Sequence, residues 1–265
     1  MQDHFWEERG IAYRTNNFDG SRDTLVFIHG LSPSCSIWAP FENSLESDFN
    51  VLTYDLRGHG FSRKYKDYSD YDLTALAGDL SALLDYLHIK SCSLISTSMG
   101  TLVALLHIHH HPETVRRSLL LAPVYKQPLP TDSDPRRHPS FLVNLLGSMI
   151  PYASRPGTRI DYAKIEHSEE VELRRMVAEI RGLSLRGFLF YLSQMNAFAH
   201  HALWSKLCVP TTIIHGTKDS FSPYQSAVDL SKAMSCKLVT LEGANHLLVI
   251  NNRKEIISEI RDHRI

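Results

Sequence analysis

The sequence of 265 residues has few cysteines, and they are far apart: Cys35, Cys92, Cys208 and Cys236. Without a close pair, they favour reduced thiols over a disulfide framework or a metal site. No apolar run approaches the roughly 20 residues that a membrane span needs. Residues 1–8 are polar and acidic and do not resemble a signal peptide. We therefore expect a cytoplasmic protein without a membrane span.

A charge of one sign is also missing. The formal net charge is −1, and neither half of the chain carries a block of like charges. This pattern argues against nucleic acid or an anionic membrane as a partner. We expect a small-molecule substrate that is not captured by bulk charge, and the sequence leaves the oligomeric state open.

The chain alternates between buried-strand and helix patterns over most of its length. Continuous apolar runs typical of strands buried on both faces recur along the chain, at residues 23–28, 49–54, 91–95, 119–123, 211–216 and 237–241. Helical patterns lie between them, the clearest at residues 72–87. The alternation predicts an α/β fold with a mostly parallel central β-sheet and helices on both faces. Residues 4–18 favour a small antiparallel hairpin before it.

The alternation stops between residues 124 and 206. This stretch carries helical patterns but no convincing strand pattern, with the helices at residues 139–150, 169–181 and 185–198. We interpret residues 124–206 as an inserted, mainly helical cap or lid within a single domain of residues 1–265. The core of that domain then comprises residues 1–123 and 207–265, and a final helix is expected over residues 247–262.

The stretch around Ser98 is an apolar strand that turns sharply and continues as a helix. A serine at such a turn stands clear of the backbone, and the next residue's N–H points at a developing oxyanion. The turn needs small residues two before and two after the serine. Gly100 fits this need well, and Ser96 fits it less well because glycine is usual there. We predict that Ser98 is a nucleophile.

Two further polar residues follow strands. Asp219 comes just after the strand that ends at Gly216, and His246 follows the last strand. Loops beyond the carboxyl ends of parallel strands form the usual sites of such sheets. A serine, an acid and a histidine there are what acyl transfer needs, because the histidine moves the serine proton and the carboxylate orients the histidine.

With these motifs in order, the chain resembles the capped, esterase-like branch of the α/β-hydrolase fold over nearly all of its length. Five elements carry the resemblance: His29-Gly30-Leu31, Asp55-Leu56-Arg57-Gly58-His59-Gly60-Phe61-Ser62, Ser96-Thr97-Ser98-Met99-Gly100, Val209-Pro210 before a strand ending in Gly216-Thr217-Lys218-Asp219, and Gly243-Ala244-Asn245-His246. The resemblance implies Ser98 as nucleophile, His246 as base and Asp219 as acid. It also implies an oxyanion hole formed by the backbone N–H groups of Leu31 and Met99, and it implies neither cofactor nor metal.

Each assignment has a structural alternative. Ser98 is also suited to be a helix N-cap, Asp219 to cap the helix that starts near Pro223, and His246 to be a solvated loop residue. Some relatives place the acid after the earlier strand, where Asp132 is the next carboxylate but lies too far along the sequence. His263 is the only other histidine after the last strand.

The remaining candidates favour structural roles. A cluster of histidines before Pro112 suggests a zinc site, but its position favours a role as cationic side chains at a helix C-terminus: His107, His109, His110 and His111. Hydrogen-bonding or loop-tying roles are expected of His29, His59, His215, Asp55 and Arg57. Apolar residues of the insertion are expected to pack in the core rather than to line an acyl pocket: Phe188, Phe190, Tyr191, Met195 and Phe198.

These observations predict a cofactor-independent serine hydrolase. The reaction expected is cleavage of an ester, or a related acyl bond, of a small and largely apolar substrate through an acyl-enzyme. A thioesterase, a lactonase or a carbon–carbon bond hydrolase shares the same three residues, as does an acyltransferase. A small-molecule receptor of this fold is the alternative outside enzymes. The sequence does not choose the substrate.

Overall fold

The computed structural model describes residues 1–124, 139–198, 204 and 207–262. Within these residues, eight strands form one sheet in the order β1-β2-β4-β3-β5-β6-β7-β8. The strands are β1 (Gln2–Trp6), β2 (Ile11–Thr15), β3 (Thr24–Ile28), β4 (Asn50–Tyr54), β5 (Cys92–Thr97), β6 (Val115–Leu121), β7 (Thr211–Gly216) and β8 (Lys237–Leu241). β1 and β2 form an antiparallel hairpin whose second strand pairs antiparallel with β4, and the other pairings are parallel.

Helices flank the sheet and connect its strands. In the described part of the chain they are α1 (Ala39–Leu45), α2 (Leu73–Tyr86), α3 (Met99–His110), α4 (Pro139–Met149), α5 (Leu173–Leu183), α6 (Leu185–Ala197), α7 (Tyr224–Met234), α8 (Leu248–Asn251) and α9 (Arg253–Asp262). None of the helices described is long and apolar enough to cross a bilayer.

The core lies on both sides of the sheet. The apolar stripes of α2, α3 and α7 pack on one face, where they meet the inward-facing side chains of the central strands. The apolar residues of α1, α8 and α9 pack on the other face. Helices on both faces explain why β3, β4 and β5 read as nearly continuous apolar runs, because neither face of these strands meets water. The predicted α/β class and the mostly parallel sheet are confirmed.

Two predicted helices differ from those observed. The helix expected over residues 169–181 begins only at Leu173, because the preceding residues form an extended turn held by side-chain hydrogen bonds. The single helix expected over residues 247–262 is wrong, because Asn252 leaves the helical region at φ −126° and ψ 38° and separates α8 from α9. The described part of residues 124–206 contains α4, α5 and α6, and no strand occurs in that part.

The turn from β5 into α3 crosses the end of β3 at very short range. A Cβ placed on Gly100 would lie 2.4 Å from the carbonyl oxygen of His29 and 2.7 Å from that of Ile28. Backbone oxygens cannot move away as a flexible side chain can, so only glycine fits this crossing. Ser96 is accommodated within β5, where it pairs with Ile28. Its buried hydroxyl has no hydrogen-bond partner among the described residues.

We expect Gly100→Ala to lower the free energy of unfolding by about 3 kcal/mol, because the added methyl group overpacks a rigid backbone crossing. Gly78→Ala is the matched control. Gly78 lies on the exposed side of α2 with nothing within 4 Å of its added Cβ, so alanine should stabilise the protein by up to about 1 kcal/mol. Urea denaturation of both variants measures the difference, and equal stabilities would contradict the crossing.

Candidate active site

Ser98 alone forms the turn between β5 and α3. Its backbone has φ 51° and ψ −123°, a strained conformation for a residue with a side chain. Ser98 occupies the N-cap position of α3, yet its side chain makes no capping hydrogen bond. The N-cap alternative for this side chain is therefore wrong, and the hydroxyl is free to meet another group.

That group is His246. The distance from Ser98 Oγ to His246 Nε2 is 3.0 Å, and the distance from His246 Nδ1 to Asp219 Oδ2 is 2.7 Å. A carboxylate only accepts hydrogen bonds, so Nδ1 carries the ring proton and Nε2 accepts the hydroxyl proton. The structure thus brings together the three residues that the sequence nominates, in an order that allows proton transfer from serine to histidine. His246 is not a solvated loop residue.

The Asp219 side chain is fully buried, and both its oxygens are used. Oδ1 accepts hydrogen bonds from the backbone N–H groups of Phe221 at 2.9 Å and Ser222 at 2.7 Å. Asp219 therefore orders the turn before α7 with one oxygen and binds His246 with the other. The capping alternative for Asp219 is wrong, because Phe221 and Ser222 lie before α7, whose N-cap residue is Pro223 and which has no side-chain capping hydrogen bond.

A second histidine lies beside Asp219. His215 Nε2 is 2.8 Å from the carbonyl oxygen of Ser222 and 3.4 Å from Asp219 Oδ2. Burial lowers the pKa of His215, which favours the neutral ring. His215 thus serves as a hydrogen-bond donor to the loop that holds Asp219, in keeping with the supporting role expected of it.

Met99 and Leu31 carry the two backbone amides that the resemblance assigns to an oxyanion hole. Met99 is the first residue of α3 and Leu31 follows β3, and neither N–H donates a hydrogen bond to another described residue. The amides at a helix N-terminus carry partial positive charge. The carbonyl of Leu31 is held by His59 Nε2 at 2.7 Å, and the His59 ring packs 5.2 Å from that of Tyr191.

The loop after β4 is tied together as predicted. Asp55 is completely buried and accepts hydrogen bonds from the N–H groups of Cys35 at 2.7 Å and Phe61 at 2.8 Å. The guanidinium of Arg159, from the insertion, binds the same carboxylate at 2.9 Å. Arg57 forms a bidentate pair with Asp79, both distances being 2.7 Å. None of these contacts involves Ser98.

The apolar residues nominated in the insertion belong mainly to the core. Phe190, Tyr191 and Met195 are buried, and Phe188 and Phe198 pack against them in part. The side chain that does meet the site is Phe221, whose ring lies edge-on to His246 at 5.4 Å and is 53% exposed. Its place in the loop after Asp219 is the only signal that could have indicated it.

Sequence reasoning missed Glu170. The carboxylate of this residue accepts a hydrogen bond from the backbone N–H of His246 at 2.6 Å. It also accepts hydrogen bonds from the N–H and the hydroxyl group of Ser220, next to Asp219. The sequence places Glu170 in a helical pattern of the insertion, where an acidic residue is expected to face solvent, so nothing in the pattern points to this contact.

The histidines at the end of α3 belong to no cluster of metal ligands in the described part of the chain. Among the described residues, no group of three or more potential ligands is suitably placed. His107 is only 1% exposed, with its ring nitrogens near the hydroxyl oxygens of Ser81 at 2.9 Å and Thr114 at 3.0 Å. The cationic role expected at this helix end is wrong for His107. Two further candidates, Asp132 and His263, lie outside the described residues.

Burial, together with the neighbouring His111, lowers the pKa of His107 from 6.5 to about 4. As the pH falls, His107 therefore takes up a proton in the unfolded chain before it does so in the folded protein. The contribution of neutral His107 to the free energy of unfolding is complete above pH 6.5 and is lost towards pH 4. We expect a loss of about 2–3 kcal/mol over this range, which His107→Gln should remove. Urea denaturation at several pH values tests this. His110→Gln, at an exposed neighbour, should keep the wild-type slope, and a wild-type slope in both variants would contradict the assignment.

Comparison with known proteins gives one family. The model of the alpha/beta hydrolase family matches residues 25–259. Human monoacylglycerol lipase ABHD6 is 22% identical over 277 residues, which cover 97% of this chain and 79% of that protein. The thioesterase domain from the curacin biosynthetic pathway superposes with a TM-score of 0.77 at 18% identity, covering 99% of both chains.

A third similar protein is the enol-lactonase from Burkholderia xenovorans LB400, with a TM-score of 0.74 at 20% identity and coverage of 95% of both chains. At these identities the solved structures show only that the fold is similar. The family model, in contrast, matches most of the sequence, from β3 into α9. The chain therefore belongs to the alpha/beta hydrolase family.

Proposed function

We propose that this protein is a serine hydrolase that cleaves an ester, or a related acyl bond, of a small and largely apolar substrate. The observation that carries the proposal is the continuous chain of hydrogen bonds from Asp219 through His246 to Ser98, built on a strained turn. A buried carboxylate, an oriented imidazole and an accessible hydroxyl are the parts that acyl transfer uses.

In the proposed mechanism, His246 Nε2 takes the proton of Ser98 as Oγ attacks the substrate carbonyl. Asp219 keeps the proton of the neutral ring on Nδ1 and stabilises the imidazolium that forms. The tetrahedral oxyanion lies between the N–H groups of Met99 and Leu31, and losing one such donor typically costs about 10² to 10³ in rate. His246 then protonates the leaving group, and water releases the acyl group by the same steps in reverse.

The apolar side chain beside His246 supports an apolar substrate. Phe221 presents an exposed ring against the imidazole. Exposed apolar groups close to a reactive centre commonly mark a ligand-binding surface. Comparable sites cleave esters, thioesters and lactones, so the leaving group has to be identified by assay.

We expect Ser98→Ala to lower kcat for p-nitrophenyl butyrate and p-nitrophenyl dodecanoate by at least about 10³-fold, because the attacking oxygen is gone. Covalent labelling by a fluorophosphonate, read by intact mass, should vanish in the same variant. Ser47→Ala removes an exposed serine far from the site and should behave as wild type. The ratio of the two rates describes the acyl preference.

The wild-type protein distinguishes the alternatives. A single labelled turnover followed by a persistent adduct would support a receptor, and faster product formation on adding an alcohol would support an acyltransferase. A wild-type protein that is neither labelled nor active would contradict the proposal.

We also propose that residues 124–206 form a cap over the carboxyl edge of the sheet. Three contacts support this role, each between the insertion and a loop that follows a strand. Glu179 accepts a hydrogen bond from Ser32 after β3, and Tyr191 donates one to the Arg57 carbonyl after β4 at 2.8 Å. In the third contact, the N–H of His246, in the loop after β8, donates a hydrogen bond to Glu170.

A ligand bound at Ser98 should therefore lower hydrogen exchange in the insertion. We expect a dodecyl fluorophosphonate on Ser98 to slow exchange in peptides from residues 139–198, because the long chain packs beneath the cap. A methyl fluorophosphonate at the same serine is the matched control and should slow exchange less. Equal exchange with both probes, measured by mass spectrometry, would argue against a cap in contact with the acyl chain.

A further inference from the structure

Glu170 joins the two loops that carry the acid and the base. Asp219 and His246 lie on different loops, after β7 and β8. Glu170 Oε1 accepts from the N–H of His246 at 2.6 Å and from the N–H of Ser220 at 3.3 Å, and Oε2 accepts the Ser220 hydroxyl. One carboxylate thus fixes the backbone at the base and at the residue next to the acid.

The backbone of Glu170 is itself held in place. Arg175, only 7% exposed, donates to the Glu170 carbonyl oxygen at 2.9 Å and to the Ser168 hydroxyl at 3.0 Å. Ser168 and Asn251 exchange two hydrogen bonds, at 2.9 Å and 3.0 Å, which attach this segment to α8 just after the histidine loop. The carboxylate is therefore presented by an anchored turn and not by a freely rotating surface side chain.

The histidine ring can reach both Asp219 and Ser98 only while its backbone stays where it is. The two ring contacts are 2.7 Å and 3.0 Å long, and a displacement of about 1 Å in such a constellation can lower the rate roughly 10²-fold. Phe221 packs on one side of the ring, but it is exposed and supplies no hydrogen bond to the loop. Glu170 is the charged group that holds the His246 N–H.

We infer that Glu170 is a positioning residue for the proposed reaction, supplied by the insertion to hold the loops of Asp219 and His246 in register. The inference rests on the proposed function, because it acts through His246 as base. It gives the insertion a part in the rate of the chemical step, separate from any part in choosing substrates.

The test compares Glu170→Ala and Glu170→Gln with Glu169→Ala. Glu169 is an exposed neighbour of the same charge whose side chain contacts only His167 among the described residues, so its variant should match wild type. We expect Glu170→Ala to lower kcat for p-nitrophenyl butyrate roughly 10- to 100-fold with KM changed less than about threefold. Glu170→Gln keeps one oxygen acceptor but not the second, and its kcat should lie between those of wild type and alanine.

A readout that needs no turnover separates this inference from the proposed function. The proton between His246 Nδ1 and Asp219 gives a far-downfield ¹H resonance when the pair is held firmly, and we expect Glu170→Ala to broaden or abolish it. If the wild type hydrolyses nothing and Glu170→Ala still loses that resonance, the proposed function is contradicted, while the structural part of the inference, that Glu170 holds His246 against Asp219, is supported.

The inference is overturned if Glu170→Ala keeps the wild-type kcat and resonance, or if it raises KM alone. If Glu170→Ala does not fold, as judged by circular dichroism, Glu170→Gln decides. A wild-type kcat and resonance in that variant would equally overturn the inference.

Discussion

The close crossing of two backbones beneath Ser98 is the constraint on which the site depends. The first turn of α3 passes so near the end of β3 that Gly100 has no room for a side chain. This contact places Ser98 beside the loop of Gly30 and Leu31, and it forces the serine into a strained conformation. Strain of this kind persists only where surrounding structure holds it, here the parallel pairing of β5 with β3 and β6.

The insertion completes what the sheet begins. A parallel sheet brings loops to one edge, but it does not fix how those loops lie relative to one another. Arg159 reaches the buried Asp55 from one part of the insertion, and Glu170 reaches the His246 loop from another. Such charge-assisted hydrogen bonds are short and directional. They couple the carboxyl-edge loops to segments of the insertion that lie far away in the sequence.

The sequence was sufficient to predict the class of sheet and the meeting of Ser98, Asp219 and His246. These predictions succeed because strand periodicity is local, and because parallel topology sends every strand's end to one edge. Glu170 was not predicted from the sequence, because its contacts arise only in the tertiary fold, whereas its local sequence pattern is helical. The break at Asn252 was also not predicted, because no glycine or proline marks it in the sequence.

The distance between Ser98 and His246 along the chain has a consequence for the protein while it is being made. Their side chains meet across 148 residues of sequence, and synthesis at about 5–20 residues per second separates their emergence by roughly 7–30 s. During that interval the nascent chain contains Ser98 but not yet His246. Ser98 and His246 can therefore meet only after the loop that follows β8 has been made, so their contact is among the last to form during synthesis.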